Sequence, residues 1–254
     1  MSVKAVTVPV KRCSKDGQCI ELHDDVVRES WLTIYVNNRR AASLACTPDD
    51  LDYLAVGYLL STGIVQSLKE IRSWTFNRDK TVVHVSIGTS KIFEATPNVI
   101  PSGCGGNTSQ QPVRVLPPDM GPRITCNQLL ALVEVFQKQS RLFRDTGGVH
   151  SAALCTEHGA VIHKEDIGRH NAVDKVIGEA VLKENTLHDK ILITSGRISS
   201  DLASKAAHCG IPFVVSRSAP TCMALTIGEE TGLTIVSFAR ANRLNVYTGH
   251  WRVG

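Results

Sequence analysis

Residues 100–110 read Ile-Pro-Ser-Gly-Cys-Gly-Gly-Asn-Thr-Ser-Gln, with Cys104 at the centre. Gly103, Gly105 and Gly106 leave the backbone free and the thiol unshielded. A thiolate held in such a loop is a nucleophile and a carrier of sulfur that large partners can reach. Four further polar segments each follow an apolar stretch. Glu165–Lys175 is the densest, and Asp166, Arg169, His170, Asn171 and Lys175 fall where a hairpin should give way to a helix. Asp166 is expected to cap that helix, with Arg169, His170, Asn171 and Lys175 facing a ligand. Free backbone N–H groups at such a junction favour anions.

Thr194–Asp201 places Ser195, Arg197 and Asp201 after a short apolar strand, where ligands of open α/β sheets bind. The glycine spacing of a phosphate-binding Walker loop is missing. Ser218–Thr221 makes a third strand-to-helix junction. The fourth segment, Phe238–Thr248, offers two arginines three apart, Arg240 and Arg243, able to grip one diphosphate from the same side. Alone, the first segment reads better as a heavily capped helix with a solvated face, and each of the other three reads at least as well as an ordinary polar turn or solvated strand end. Four of them in one half point to a sizeable anionic ligand.

The elements that must position these residues follow from periodicity. In the first part, Val6–Val10 and Trp31–Val36 alternate as strands, Pro9 confining the first to a sheet edge. Asn37-Asn38 suits a hairpin turn before Ala41–Cys46. Thr47-Pro48-Asp49-Asp50 signals a helix with Thr47 as N-cap, running to about Ser61 and stopping at Gly63. Strands around Ile71–Phe76 and Thr81–Ile87 follow. Residues 96–122 carry six prolines and include the Cys104 loop, and a domain boundary is expected near their end. This divides the chain into an α+β part, 1–122, and an α/β part, 123–254.

The second part reads as a helix over about 125–143, a hairpin of Val149–Cys155 and Ala160–His163, and a helix carrying Val173, Val176, Ile177, Ala180 and Val181. Strand Ile191–Thr194, helix Ser200–His208, strand Phe213–Ser216, helix Thr221–Thr231 and strand Leu233–Phe238 follow. Apolar strands separated by helices imply a sheet covered on both faces. A hairpin ahead of parallel crossovers is similar to the cytidine-deaminase-like three-layer α/β/α fold.

Composition narrows the class. The 254 residues are 43% hydrophobic and 20% charged, enough for a substantial core. A balance of 28 Lys+Arg against 24 Asp+Glu gives +4, too mild to argue for nucleic acid. No apolar run spans a bilayer and the N-terminus lacks an export signal, so a cytoplasmic location and no membrane partner are expected. The eight cysteines, at 13, 19, 46, 104, 126, 155, 209 and 222, form no C-x-x-C pair. A disulfide framework is therefore not expected. Cys155 and Cys209 read as packing residues.

Taken together, Asp-Ile-Gly-Arg-His-Asn-Ala-Val-Asp-Lys at 166–175, Thr-Gly-Gly-Val-His-Ser-Ala at 146–152, Thr-Ser-Gly-Arg-Ile-Ser at 194–199, Ser-Ala-Pro-Thr at 218–221 and Arg-Leu-Asn-Val-Tyr at 243–247 closely resemble the FdhD family of formate dehydrogenase accessory proteins. The resemblance implies a cytoplasmic, homodimeric sulfurtransferase. Such a protein takes persulfide sulfur from a cysteine desulfurase and passes it to the bis(molybdopterin guanine dinucleotide) molybdenum cofactor, destined for formate dehydrogenase. It also implies Cys104 as the persulfide residue and a cofactor site including Phe238, Ala239, Arg240, Ala241, Asn242 and Arg243. Ser195, Arg197, Asp201, Arg169 and His170 are the added candidates. The cofactor is cargo rather than a resident group, and a guanine nucleotide such as GDP is expected to occupy the same site.

One departure stands out. The family loop commonly carries C-x-x-C, whereas this chain has Cys104-Gly105-Gly106-Asn107. A relay between two thiols inside the loop is excluded, and Cys13, Cys19 and Cys222 are second-thiol candidates only by exclusion. The other reading is a non-catalytic chaperone that holds the guanine dinucleotide cofactor without sulfur chemistry. A zinc deaminase is disfavoured, because His150-Ser151-Ala152 has alanine where that chemistry needs glutamate and no P-C-x-x-C follows. No metal is expected, nor do Cys104, His150 and Asn171 show hydrolase spacing.

Overall fold

The computed structural model describes residues 4–88, 99–100 and 114–254. Cys104 and Asn107 lie outside the described residues. The chain opens with a two-stranded antiparallel ribbon, β1 (Ala5–Cys13) and β2 (Cys19–Val27). Pro9 is accommodated there because every strand of a two-stranded ribbon is an edge. The predominantly exposed β2 lacks the alternation that marks a half-buried strand, and sequence reading did not anticipate it.

A five-stranded sheet follows in the order β5-β6-β3-β4-β7, formed by β3 (Ser30–Val36), β4 (Arg39–Cys46), β5 (Ile71–Phe76), β6 (Val82–Ile87) and β7 (Val99–Ile100). Asn37 and Asn38 turn the β3–β4 hairpin with φ of 45° and 65°, the double left-handed geometry that asparagine tolerates. Helix α1 (Leu51–Ser61) ends before Gly63 at φ 73°, as expected.

Its start differs from expectation. The residue before α1 is Asp50, and Thr47 is drawn away to a buried carboxylate: its N–H and Oγ1 both donate to Asp166 Oδ2, at 3.1 and 3.0 Å. A desolvated carboxylate outcompetes a local cap because its hydrogen bonds are charge-assisted.

The six-stranded sheet runs β13-β12-β11-β10-β8-β9, from β8 (His150–Thr156), β9 (Gly159–Asp166), β10 (Ile191–Thr194), β11 (Phe213–Ser216), β12 (Thr234–Arg240) and β13 (Arg243–Thr248). The central β10, β11 and β12 are parallel, while β8, β9 and β13 pair antiparallel. The chain is thus mixed α/β. β13 was not foreseen.

Alternation decides the two faces. Ile191, Ile193, Phe213 and Val215 pack with Leu129, Leu132, Val133 and Phe136 of α2 (Cys126–Gln139). Leu192 and Val214 face the opposite way, into the core shared with α4 (Arg169–Leu182), α5 (Ser200–His208), α6 (Cys222–Thr231), α1 and the five-stranded sheet. One apolar core therefore joins residues from both halves of the chain.

The helix expected over 125–143 is two helices, α2 and α3 (Arg141–Thr146), broken at Ser140, and Phe143 is 49% exposed. Ser140 Oγ lies 2.8 Å from Ser151 Oγ, a contact made only in the folded sheet.

Helix α4 has no side-chain N-cap bond, which corrects the expected role of Asp166. Burial holds it instead. Val173, Val176 and Ile177 are fully buried, each worth about 1.5–3 kcal/mol gross, against about 1 kcal/mol for a cap. Its Gly178 meets Gly57 of α1 so closely that a Cβ on Gly57 would lie 1.8 Å from the Asp174 carbonyl oxygen, and one on Gly178 1.9 Å from that of Tyr53.

The disulfide expectation is also corrected. Cys13 and Cys19 face each other across the ribbon and are joined. Cys155 and Cys209 do pack inside, where burial pushes both thiols up to about 12.

Candidate anion site at the sheet rim

The carboxyl ends of parallel strands β10, β11 and β12 lie side by side, since Thr194 registers with Ser216 and Val215 with Val236. Each strand is apolar until its last residues and then turns polar. Thr194 leads to Ser195 and Gly196, Ser216 to Arg217 and Ser218, and Ser237 to Phe238 and Arg240. The start of β8 and the end of β9 extend the same rim, where His150 registers with Asp166.

Hydrogen bonds from the Ser216 hydroxyl and from the backbone stitch these turns together. Ser216 Oγ donates to the Gly196 carbonyl at 2.6 Å and accepts the Ser218 N–H at 2.9 Å. The Ile198 N–H donates to Ala219 O and the Phe238 N–H to Ser218 O, both at 3.1 Å. Phe238 and Ala241 adopt φ of 52° and 47°, left-handed conformations unusual for residues with a Cβ. They flank Arg240, and Arg240 and Arg243 are register partners across the turn, placing both side chains on one face.

The rim gathers Arg169, Arg197, Arg217, Arg240 and Arg243. Arg197, Arg240 and Arg243 are exposed, and Arg240 Nε donates to the Arg217 carbonyl at 2.7 Å. Arg169 lies against Gly196, where a Cβ would come within 2.8 Å of its side chain. Arg217 escaped sequence reading, although it immediately precedes a polar segment that was singled out. Its Nε is buried without a hydrogen-bond partner among the described residues.

Other expected site residues sit beneath this surface. His170 and Asp201, each 7% exposed, approach to 3.0 Å between Nδ1 and Oδ2, without hydrogen-bond alignment. Burial pushes His170 down to about 2, with Lys205 and Arg169 adding to it, and pushes Asp201 up to about 6 against the pull of Lys205. Ser195 Oγ accepts the Ser151 N–H at 3.0 Å and lies 3.2 Å from His150 Nδ1. Burial, then Arg169, lowers the His150 pKa. Ala239 is fully buried among the α2 contacts, so its side chain is turned away from a ligand at the rim.

Asn171 and Lys175 do not face a ligand. Asn171 Nδ2 donates to Ala45 O at 2.8 Å and Asp166 Oδ1 at 2.9 Å. Lys175, fully buried, pairs with Asp166 at 2.7 Å and Asp49 at 3.1 Å. These two residues fasten the first sheet to the second. Among the described residues no group of three or more His, Cys, Asp and Glu side chains could hold a metal, and no helix is long and apolar enough to cross a membrane.

The chain is a mixed α/β protein whose parallel strands end together in arginines, hydroxyls and turns of positive φ, the rim at which open α/β sheets commonly hold their ligands. Comparison over the whole chain makes this specific. The FdhD/NarQ family model matches residues 27–254, and the chain belongs to that family. The sulfur carrier protein FdhD of Bacillus pumilus is 38% identical over 246 residues, covering 94% of each chain. That of Bacillus subtilis is 36% identical with the same coverage. The crystal structure of a protein assigned as a formate dehydrogenase accessory protein from Desulfotalea psychrophila superposes with a TM-score of 0.80 at 25% identity, covering 99% of this chain and 100% of that one. The family inferred from the motifs is the family found.

Proposed function

We propose that this chain is a sulfur carrier that serves formate dehydrogenase by passing persulfide sulfur to a molybdenum cofactor. Whole-length similarity to proteins named sulfur carrier protein FdhD carries the reading. The Cys104 thiolate attacks the outer sulfur of a cysteine desulfurase persulfide. A new S–S bond forms on Cys104, the old one breaks, and the desulfurase thiolate leaves. The sulfur then goes to the bis(molybdopterin guanine dinucleotide) cofactor as substrate.

The arginine rim supports the second half of this reading. Arg240 and Arg243 suit the diphosphate, with Arg197, Arg217, Arg169 and Ser195 along the neighbouring strand ends. Phe238, Ala241 and Asn242 complete the turn. Asp201 and His170 support the rim from below. GDP is the simplest probe for the site. The protein works in the cytoplasm as a homodimer on this account, with the desulfurase and formate dehydrogenase as partners.

Asn107 in place of a second loop cysteine favours one other reading, a chaperone that binds the cofactor without carrying sulfur. Incubating the protein with a cysteine desulfurase and cysteine separates the two. A persulfide on Cys104 by mass spectrometry, lost in Cys104→Ser, supports the carrier. An unmodified Cys104 beside normal GDP binding supports the chaperone.

A further inference from the structure

The ribbon β1–β2 pairs with neither larger sheet, and every residue from Lys11 to Glu21 is exposed. Cys13 and Cys19 sit at its tip as the last register pair of the ladder, their Cα atoms 4.1 Å apart, joined as a disulfide. The backbone holds this pairing independently of the S–S bond. Seven residues, Cys13 to Cys19, are closed by a turn in which the Ser14 N–H donates to Gln18 O at 2.8 Å and the Gly17 N–H to Ser14 O at 3.0 Å. At its base the ribbon is anchored by the Arg28 N–H on Lys4 O, the Lys4–Asp49 ion pair at 2.6 Å, and Val27 against Gly148. Reduction therefore leaves two thiols exposed and still adjacent, with no core residue disturbed. Lys11 faces Glu21 across the ladder and Arg12 lies 3.9 Å from Asp24, so the charges around the tip are balanced and leave both sulfurs open to a donor.

Adjacent thiols have a defined chemistry toward persulfides, and the geometry points to it. We propose that the Cys13/Cys19 pair is a second sulfur-handling site, a dithiol that accepts sulfane sulfur from a persulfide and discharges it as hydrosulfide. In the first step one ribbon thiolate attacks the outer sulfur of the donor, gaining that sulfur and releasing the donor thiol. In the second, the neighbouring thiolate attacks the inner sulfur of the new persulfide. The Cys13–Cys19 bond forms, the persulfide S–S bond breaks, and hydrosulfide leaves with the electron pair. The sulfane sulfur is the oxidant, reduced to sulfide as two thiols become one disulfide. A dithiol protein reductant resets the pair by thiol–disulfide exchange. The disulfide form cannot accept sulfur, so the pair sets whether persulfide sulfur is kept or released. This inference shares with the proposed function only its substrate class and does not involve Cys104.

The test uses the full chain carrying Cys104→Ser, reduced, freed of reductant and mixed with glutathione persulfide. The expected result is a burst of hydrosulfide approaching one per chain, with the ribbon peptide converted from dithiol to disulfide. Adding Cys13→Ser and Cys19→Ser should cut the burst at least tenfold. Cys19→Ser alone should stop the sequence midway, leaving Cys13 one sulfur atom heavier. Undiminished hydrosulfide in the double ribbon variant, or a ribbon that stays dithiol during the burst, would overturn the proposal. Because Cys104 is absent throughout, failure here leaves the carrier reading untouched, and failure of that reading leaves this result standing.

Discussion

Asp174 of α4 and Lys205 of α5 form an ion pair at 2.7 Å in the interior, their side chains only 1% and 5% exposed. Ser61 of α1 completes the cluster by donating to Asp174 Oδ1 at 2.7 Å. Three helices from both halves of the chain thus meet on one carboxylate. Removing one member strands the other as an uncompensated buried charge, a loss of about 3–5 kcal/mol. Lys205→Met should show that loss in urea unfolding, and Asp174→Leu added to it should recover a large part. Equal stability of Lys205→Met and the parent chain would refute this.

The Gly57–Gly178 crossing is less forgiving than ordinary core. A methyl group at either position meets backbone rather than a side chain that could turn aside, so α1 and α4 must separate. Gly178→Ala should destabilise the chain by about 3 kcal/mol, at the upper end for overpacking. A thermal melt within a degree of the parent would contradict the close approach.

At Ala241 the strain is local and exposed. Its φ of 47° costs a residue bearing a Cβ about 1–2 kcal/mol, whereas glycine visits that region freely. After glycine's greater unfolded-state entropy is subtracted, Ala241→Gly should still gain a few tenths of a kcal/mol to about 1 kcal/mol. A clear loss of stability in denaturant titration would count against the strained turn.

Acid should destabilise the fold through its buried histidines. Burial holds His163 down to about 4 and His170 to about 2, against an ordinary value of 6.5. Between those limits the unfolded chain binds more protons, so stability falls as pH drops below about 6.5. Asp201, raised to about 6 from 3.8, binds its proton more readily when folded and opposes this in the lower part of the window. Burial also lowers His150, and Asp49 is held down to about 2 beside Lys175, while Asp174, raised by burial, acts with Asp201; the three histidines and Asp49 leave a net loss toward pH 4. Urea midpoints should decline from about pH 7 to pH 4.5, less steeply in His163→Gln. A flat profile would exclude the assignment.

GDP binding should fall at least tenfold, about 1.4 kcal/mol, in Arg240→Ala/Arg243→Ala. Affinity in the parent should also weaken as salt rises, because charge pairing to phosphate is screened. Isothermal titration at two ionic strengths reads both effects, and affinity indifferent to the double substitution would remove the rim as the site.

What could be read in advance was what depends on near neighbours in the chain. β10, α5 and β11 begin and end where their apolar runs and capping serines place them, and Asn37-Asn38 turns as its side chains allow. Strand-end polarity marked the rim for the same reason. Thr47, Asn171 and Lys175 were misread, and the break at Ser140 was missed, because each answers to a distant partner that local pattern does not encode. Arg217 needed the strand order: only when β11 lies between β10 and β12 does its position join the other arginines. β2 borrows its order from β1 rather than from a buried face.

Arg252 gives the fold a sense of time. Its fully buried guanidinium donates to the carbonyls of Pro117, Met120 and Gly232 and to Thr234 Oγ1, groups laid down up to 135 residues earlier. A chain emerging from the ribosome makes none of these four bonds until position 252 arrives. The connection before α2 and the start of β12 are consequently clasped together last. A nascent chain therefore holds every arginine of the rim before the clasp that ties β12 to the connection ahead of α2 can close.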